Sequence, residues 1–174
     1  MIKNKEEKIN IKLFTILDIK KSDYIEWLKD EKIVRYLYRQ ELFDTIKEKD
    51  IKIYVSTLIK SKKDFFYSIS FKKKIIGTIK IGHIDWYSRS GDLGIMIGDK
   101  NYWNKGFASQ AIKLILRLAK KELNLRKIVA GTPSPNIAMI KAFKKNGFKI
   151  EGKRIKQLLI SNKYVDHILL GKIL

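Results

Sequence analysis

Apolar residues recur along the chain with two different spacings, and the changes between them divide it into elements. Residues 9–17 alternate, with Ile9, Ile11, Leu13, Thr15 and Leu17 on one side, the pattern of an opening strand. Ser22 or Asp23 can cap a short helix from Tyr24 to Lys29, and Asp44 can cap a second running to about Lys60. Phe65–Phe71 and Ile75–Ile81 read as two strands joined by a charged tip, Lys72-Lys73-Lys74. A polar and aromatic loop, Asp85 to Ser90, leads into a short apolar strand, Leu93 to Ile97, between Gly91 and Gly98. The period then changes. Ala111, Ile112, Leu114, Ile115, Leu118 and Ala119 fall three and four apart, while Lys113, Arg117, Lys120 and Lys121 occupy the other side, an amphipathic helix. Lys127–Gly131 is a further strand, ended by Thr132-Pro133-Ser134-Pro135 because a proline cannot donate to a ladder. Asn136 caps a helix through Lys145, with Gly147 as its stop signal. Two strands, Phe148 to about Leu159 and Tyr164 to about Leu170, close the chain around Ser161-Asn162. No repeat or linker interrupts this order. The expectation is one α/β (α+β) domain over residues 1–174, a mixed sheet of six or seven strands with about four helices.

Composition narrows the classes. At 174 residues, 45% hydrophobic and 11% aromatic, the chain can bury a continuous core. No apolar run approaches the roughly 18–20 residues that cross a bilayer, and the charged N-terminus lacks the apolar stretch of a secretory signal. There is no cysteine, so disulfides, thiolate nucleophiles and cysteine metal sites are excluded; His83 and His167 alone do not make a zinc site. A cytoplasmic, metal-free protein is the expectation. The net charge is +20, from 38 Lys+Arg against 18 Asp+Glu. The basic residues are spread through the chain, and their sign favours anionic over cationic ligands.

The segment from Gly98 to Ser109 is strand, glycine-containing turn, then helix. Such a turn leaves amides that the first helical turn cannot use, beside the positive end of the helix dipole, a setting for phosphate. An ordinary strand-to-helix connection would use the same glycine. Neither the phosphate loop of NTPases nor the three-glycine dinucleotide fingerprint is present. Trp103-Asn104-Lys105-Gly106-Phe107-Ala108 instead resembles the acetyl-CoA loop of the GNAT N-acetyltransferases, Gln/Arg-x-x-Gly-x-Gly/Ala, with Trp103 at its first position. About thirty residues later, Asn136, Phe143, Gly147 and Phe148 match the second signature of that family in type and spacing. The resemblance covers nearly the whole chain and leans toward the ribosomal-protein N-terminal, spermidine and nucleotide-sugar acetyltransferases.

That resemblance implies a sheet splayed between Leu93–Ile97 and Lys127–Gly131, with acetyl-CoA as co-substrate. Its pantetheine arm would pair with main chain near Met96, Ile97 and Gly98. Its pyrophosphate would rest on Trp103, Asn104, Lys105, Gly106, Phe107, Ala108 and Ser109, and Asn136 and Phe143 would face the arm. Family members often carry a tyrosine at the Phe143 position as acid for the departing thiolate; phenylalanine cannot serve, so water or another hydroxyl acts or the thiolate leaves unassisted, and Phe143 is then a packing residue. Asp92 is the candidate base, with His83 near it. The acceptor site is expected between Arg35, Tyr36, Tyr38 and Arg39 on one side and Asp85, Trp86 and Arg89 on the other, with His83 beside the latter. Arginine and aromatic residues there suit an anionic small-molecule amine, a nucleotide-linked amino sugar first. A ribosomal-protein N-terminal amine is the alternative, and a basic nucleic-acid-binding module is the reading from another class. The long helix lacks a base-reading face, so nucleic acid is not expected as substrate; no membrane partner is expected, and a homodimer is left open.

Overall fold

A computed structural model describes residues 9–37 and 45–174. The sheet has seven strands in the order β1-β2-β3-β4-β5-β7-β6. These are β1 (Asn10–Leu13), β2 (Phe65–Phe71), β3 (Lys74–Asp85), β4 (Ser90–Ile97), β5 (Lys127–Pro133), β6 (Lys149–Ile160) and β7 (Lys163–Ile173). All neighbours run antiparallel except β4 and β5. That parallel pair requires a crossover, supplied by a long helix. Both predicted hairpin tips are two-residue turns with left-handed residues, Lys72 and Lys73 at φ 46° and 69°, Ser161 and Asn162 at 46° and 60°. Mirror-image turns of this kind match the twist of the strands they join.

Among the described residues there are six helices: α1 (Ile16–Lys21), α2 (Tyr24–Leu28), α3 (Glu31–Val34), α4 (Glu48–Lys60), α5 (Phe107–Lys121) and α6 (Ile137–Lys145). The expected four correspond to α2, α4, α5 and α6. The opening alternation extends only to Leu13, because Asp18 accepts from the Thr15 amide at 2.9 Å and starts α1 as a capping box. Leu17, expected on the strand's inner side, is exposed on that helix. Asp44, expected to cap α4, lies outside the described residues; Lys47 holds the cap position and Asp50 accepts from its amide at 3.1 Å.

Each sheet face has its own core. Ala111, Ile112, Ile115 and Ala119 of α5, with Phe143 of α6, pack on Ile79, Ile81, Leu93, Ile128 and Leu170. On the opposite face, Ile19, Tyr24, Trp27, Ile33, Ile51 and Val55 from α1–α4 pack on Phe66, Ile75 and Met96. The strands are therefore buried on both sides in the middle of the sheet, which accounts for the near-continuous apolar runs in β2 and β3. No helix among the described residues is long and apolar enough to cross a membrane.

Candidate active site

β4 and β5 are neighbours for only part of their length. Their register runs through Ser90↔Lys127, Gly91↔Ile128 and Asp92↔Val129 and stops there. β4 continues to Ile97 against β3, while Ala130 to Pro133 of β5 stay paired with β7. A V-shaped gap thus opens in the sheet beyond Asp92, where the splay was expected.

The strand's alternation decides which groups face the gap. The Gly98 amide donates to the Ile76 carbonyl at 2.9 Å. Residues of the same parity, Met96 and Gly94, therefore direct their main chain at β3, and those of the other parity, Ile95 and Ile97, direct theirs into the gap. This corrects the expected pairing at Met96 and Gly98. Gly98 has a different reason to be glycine: a side chain there would run into the ring of Trp27. The Ile97 carbonyl is already used, since the Trp103 indole N–H donates to it at 2.7 Å. Trp103 thereby fixes the turn to the end of β4.

That turn begins with Asp99, which is buried, pairs with Lys74 at 2.7 Å and accepts from the Asn101 amide at 3.0 Å. Burial pushes the Asp99 carboxyl up, but Lys74 and the Asn101 amide outweigh it and hold the group below its ordinary value. Asn104 (φ 58°) and Gly106 (φ 80°) are both left-handed, and Gly106 is the N-cap of α5. Open space lies where a Gly106 side chain would be. The first α5 bond is from the Gln110 amide to the Gly106 carbonyl, so the helix makes no use of the amides of Phe107, Ala108 and Ser109, and no side chain caps them. Asn104, Lys105 and Gly106 are exposed, and Ala108 and Ser109 are partly buried. The Phe107 ring is a core group, 4.9 Å from Phe71 and 5.4 Å from Tyr102, so only the Phe107 amide is left for a ligand.

Asn136 and Phe143 have structural roles. Asn136 is committed as the α6 cap, accepting from Met139 at 3.4 Å and donating to Thr132 at 3.1 Å, so only its remaining hydrogen and lone pair could meet a ligand. Phe143 is 2% exposed and packs 4.9 Å from Phe148, a core ring with no face toward solvent. Asn146, read in the sequence only as part of a helix stop, instead ties α6 to the start of α5. Its amide donates to the Ser109 carbonyl and hydroxyl and to the Ala142 carbonyl.

On the α1–α4 face lies a cavity of about 390 Å³. Its walls are mostly apolar (Leu28, Val34, Leu37, Ile46, Ile51, Phe66, Met96), with Tyr24, Tyr54, Asp50, Thr78 and Lys80 as the main polar contributors. Gly94 and Ile95 form the wall against β4, so the cavity reaches the strand that borders the gap. Burial, with Tyr54 beside it, pushes the Tyr24 phenol up, so it stays a protonated donor. Arg35 and Tyr36 are partly buried, between the wall residues Val34 and Leu37. Tyr38 and Arg39 lie outside the described residues.

The second expected border is not at this cavity. Asp85 caps the β3–β4 turn through the Tyr87 and Ser88 amides, Trp86 donates to the Lys62 carbonyl, and Arg89 donates to Asn124. This turn precedes Ser90, at the closed end of the V. Seven residues at about 3.3 Å each put it about 23 Å from Ile97. None of Asp85, Trp86 and Arg89 lines the cavity, and each has a hydrogen-bond partner in or beside that turn. Asp92 and His83 lie between these extremes, exposed and in contact with each other, Nδ1 to Oδ2 at 3.3 Å.

Residues 9–149 match the family model described as an acetyltransferase (GNAT) domain. The chain is 38% identical over 89 residues to the uncharacterized N-acetyltransferase YnaD of Bacillus subtilis, covering 49% of this chain and 52% of that protein. It is 28% identical over 95 residues to the spermidine N(1)-acetyltransferase of Vibrio cholerae, covering 55% and 54%. Each match spans about half the length of the curated relative. Among solved structures, the spermidine N-acetyltransferase of Vibrio cholerae in complex with CoA and spermine superposes with a TM-score of 0.86 at 18% identity, over 95% of each chain. The ribosomal alpha-N-protein acetyltransferase RimL in complex with coenzyme A superposes with a TM-score of 0.84 at 14% identity, over 96% of this chain and 94% of that one. At these identities the likeness is one of fold.

Proposed function

Because the chain belongs to the GNAT acetyltransferase family, we propose that it transfers the acetyl group of acetyl-CoA to the primary amine of a small molecule. The observation that carries this reading is the end of the β4–β5 ladder at Asp92↔Val129, next to a helix whose first amides are free of any cap. Acetyl-CoA supplies the acyl group activated as a thioester. The Ile95 amide and carbonyl and the Ile97 amide are spaced along the gap as a strand partner would need them, which fits the amides of a pantetheine arm. The amides at 107–109, with the open space above Gly106, fit a pyrophosphate. Asn146 ties Ser109 in place beside these amides, which supports the reading. An acceptor in the cavity would approach the thioester across Gly94, which has no side chain to obstruct it.

The cavity chemistry favours a compact amine with an apolar body. Among the described residues that line it there is no arginine, and Asp50 is the one carboxylate. A nucleotide-linked amino sugar would want the phosphate grip for which Arg35, Arg39 and Arg89 were candidates, and a polyamine would want several carboxylates. The test is thiol release from acetyl-CoA over a panel of phenethylamine, tyramine, amino sugars, polyamines and N-terminal peptides. Phenethylamine or tyramine is expected to lead. A lead by a nucleotide-linked amino sugar or by spermidine overturns the acceptor assignment, and failure to bind acetyl-CoA overturns the whole reading.

A further inference from the structure

Acetyl transfer to an amine requires that the acceptor lose a proton before it attacks. At neutral pH an imidazole is better matched to that task than a carboxylate. His83 and Asp92 are the pair that the sheet places for it. β3 and β4 are out of simple register between Gly82 and Asp85, and His83 sits within that bulge at φ +50°. A non-glycine residue in this region carries backbone strain, and bulges re-aim a side chain away from the regular pleat. Here the imidazole is aimed at Asp92, the last β4 residue paired to β5 and so the point where the gap begins. By alternation Asp92, Gly94 and Met96 share one face of β4, the face that carries the cavity.

On this basis we infer that His83 is the base that deprotonates the acceptor amine, with Asp92 as its positioning residue; this rests on the acetyl-transfer reading above. A carboxylate can only accept, so the imidazole donates through Nδ1–H and presents the Nε2 lone pair outward. The ring is accessible to an acceptor, with side-chain exposures of 76% for His83 and 56% for Asp92. Nε2 takes one proton from the ammonium. The freed nitrogen lone pair attacks the thioester carbonyl carbon, the carbon–sulfur bond breaks, and the second amine proton ends on the coenzyme sulfur. The imidazolium then returns its proton to solvent, so acyl group and protons balance without another reactant.

Among the described residues, Asp64 and Lys80 are charged groups at this corner. Asp64 accepts from the His83 main-chain amide at 3.3 Å and lies 3.6 Å from the Lys80 ammonium. It therefore anchors the bulge rather than the ring. Lys80 also lines the cavity, and its positive charge disfavours a second cation there, easing loss of the acceptor's proton.

The test uses His83→Asn, chosen because asparagine tolerates the left-handed backbone, and Asp92→Asn. Imidazole 15N shifts, assigned by loss of the His83 signals in H83N, are expected to report the Nδ1–H tautomer in the wild type and a tautomer mixture in D92N. Identical tautomers in both overturn the pairing, and this measurement needs no acceptor. With phenethylamine, H83N is expected to lose about 100-fold in kcat/KM together with the acidic limb of its pH profile. D92N is expected to fall about tenfold and to retain a limb. Acetyl-CoA affinity should be equal in all three. Wild type that fails to bind acetyl-CoA sinks the acetyl-transfer reading. Equal binding with H83N within threefold of wild type, or with its acidic limb intact, sinks the base assignment alone.

Discussion

Replacing Gly106 with glutamate separates the cost to the fold from the cost to the ligand. Gly106 sits at φ 80° with nothing within 4 Å of the position of an added Cβ, so the fold is charged only for the left-handed backbone. That is about 1–2 kcal/mol, which for a domain of this size lowers the melting temperature by about 2–8 °C. The ligand pays differently. Two phosphate charges about 6 Å from the new carboxylate repel it by about 1.4 to 5.5 kcal/mol, for an effective dielectric between about 80 and 20. Acetyl-CoA affinity should therefore fall at least about tenfold, and added salt should restore part of it. Gly106→Lys is the control, with the same backbone strain and the opposite charge, so it should melt alike and bind better than the glutamate variant. Titration calorimetry with acetyl-CoA and a thermal melt read both quantities. A Gly106→Glu protein that melts within that window and binds acetyl-CoA as wild type does would remove the turn from the site.

Asn146→Ala removes three hydrogen bonds, at 3.1, 2.9 and 2.8 Å, two of them to Ser109. It should cost about 1–3 kcal/mol and weaken acetyl-CoA binding; unchanged calorimetry would mean the α5 amides need no tether. Trp103→Phe frees the Ile97 carbonyl and should cost about 0.5–1.5 kcal/mol, with a melt unchanged within a degree counting against that bond. The Asp99–Lys74 pair gives a pH dependence. Asp99 is held below its ordinary value, so its contribution is present above about pH 4 and lost as pH falls through the lower folded value. Lys74, raised chiefly by its hydrogen bond to Asp99, contributes below its ordinary value and loses that contribution as pH rises through the higher folded one. Acid unfolding of Asp99→Asn should lack the extra loss seen in wild type, and parallel curves would refute the pair's role.

What the sequence revealed is what local physics governs. α5 and α6 were legible because Ala111 to Ala119 and Asn136 to Gly147 carry their own period, cap and stop. The turn at Gly106 was legible because a left-handed N-cap calls for glycine. α1 was missed because Thr15 and Asp18 override an alternation that continues by accident to Leu17. Which β4 groups face the gap is a matter of parity, set by a bond between Gly98 and Ile76 on another strand, and no local pattern carries it. Sequence proximity to Leu93 drew Asp85, Trp86 and Arg89 into the expected acceptor site, but none of them lines the cavity on the α1–α4 face. The lining of the cavity, Tyr24, Tyr54, Lys80 and Gly94 among others, comes from separate segments, each unremarkable alone. Asn146 looked like a stop residue because its partner is 37 positions away.

The parting of β4 from β5 also bears on how the protein behaves with nothing bound. The main-chain groups of Ile95 and Ile97 that point into the gap have no strand partner there, like an arch built up to the keystone. Acetyl-CoA bound there as proposed would finish a hydrogen-bond pattern begun by the polypeptide, so occupancy should stiffen both halves of the sheet at once. Hydrogen exchange at Ile95 and Ile97 would record that locking, slowing together when the missing piece is seated.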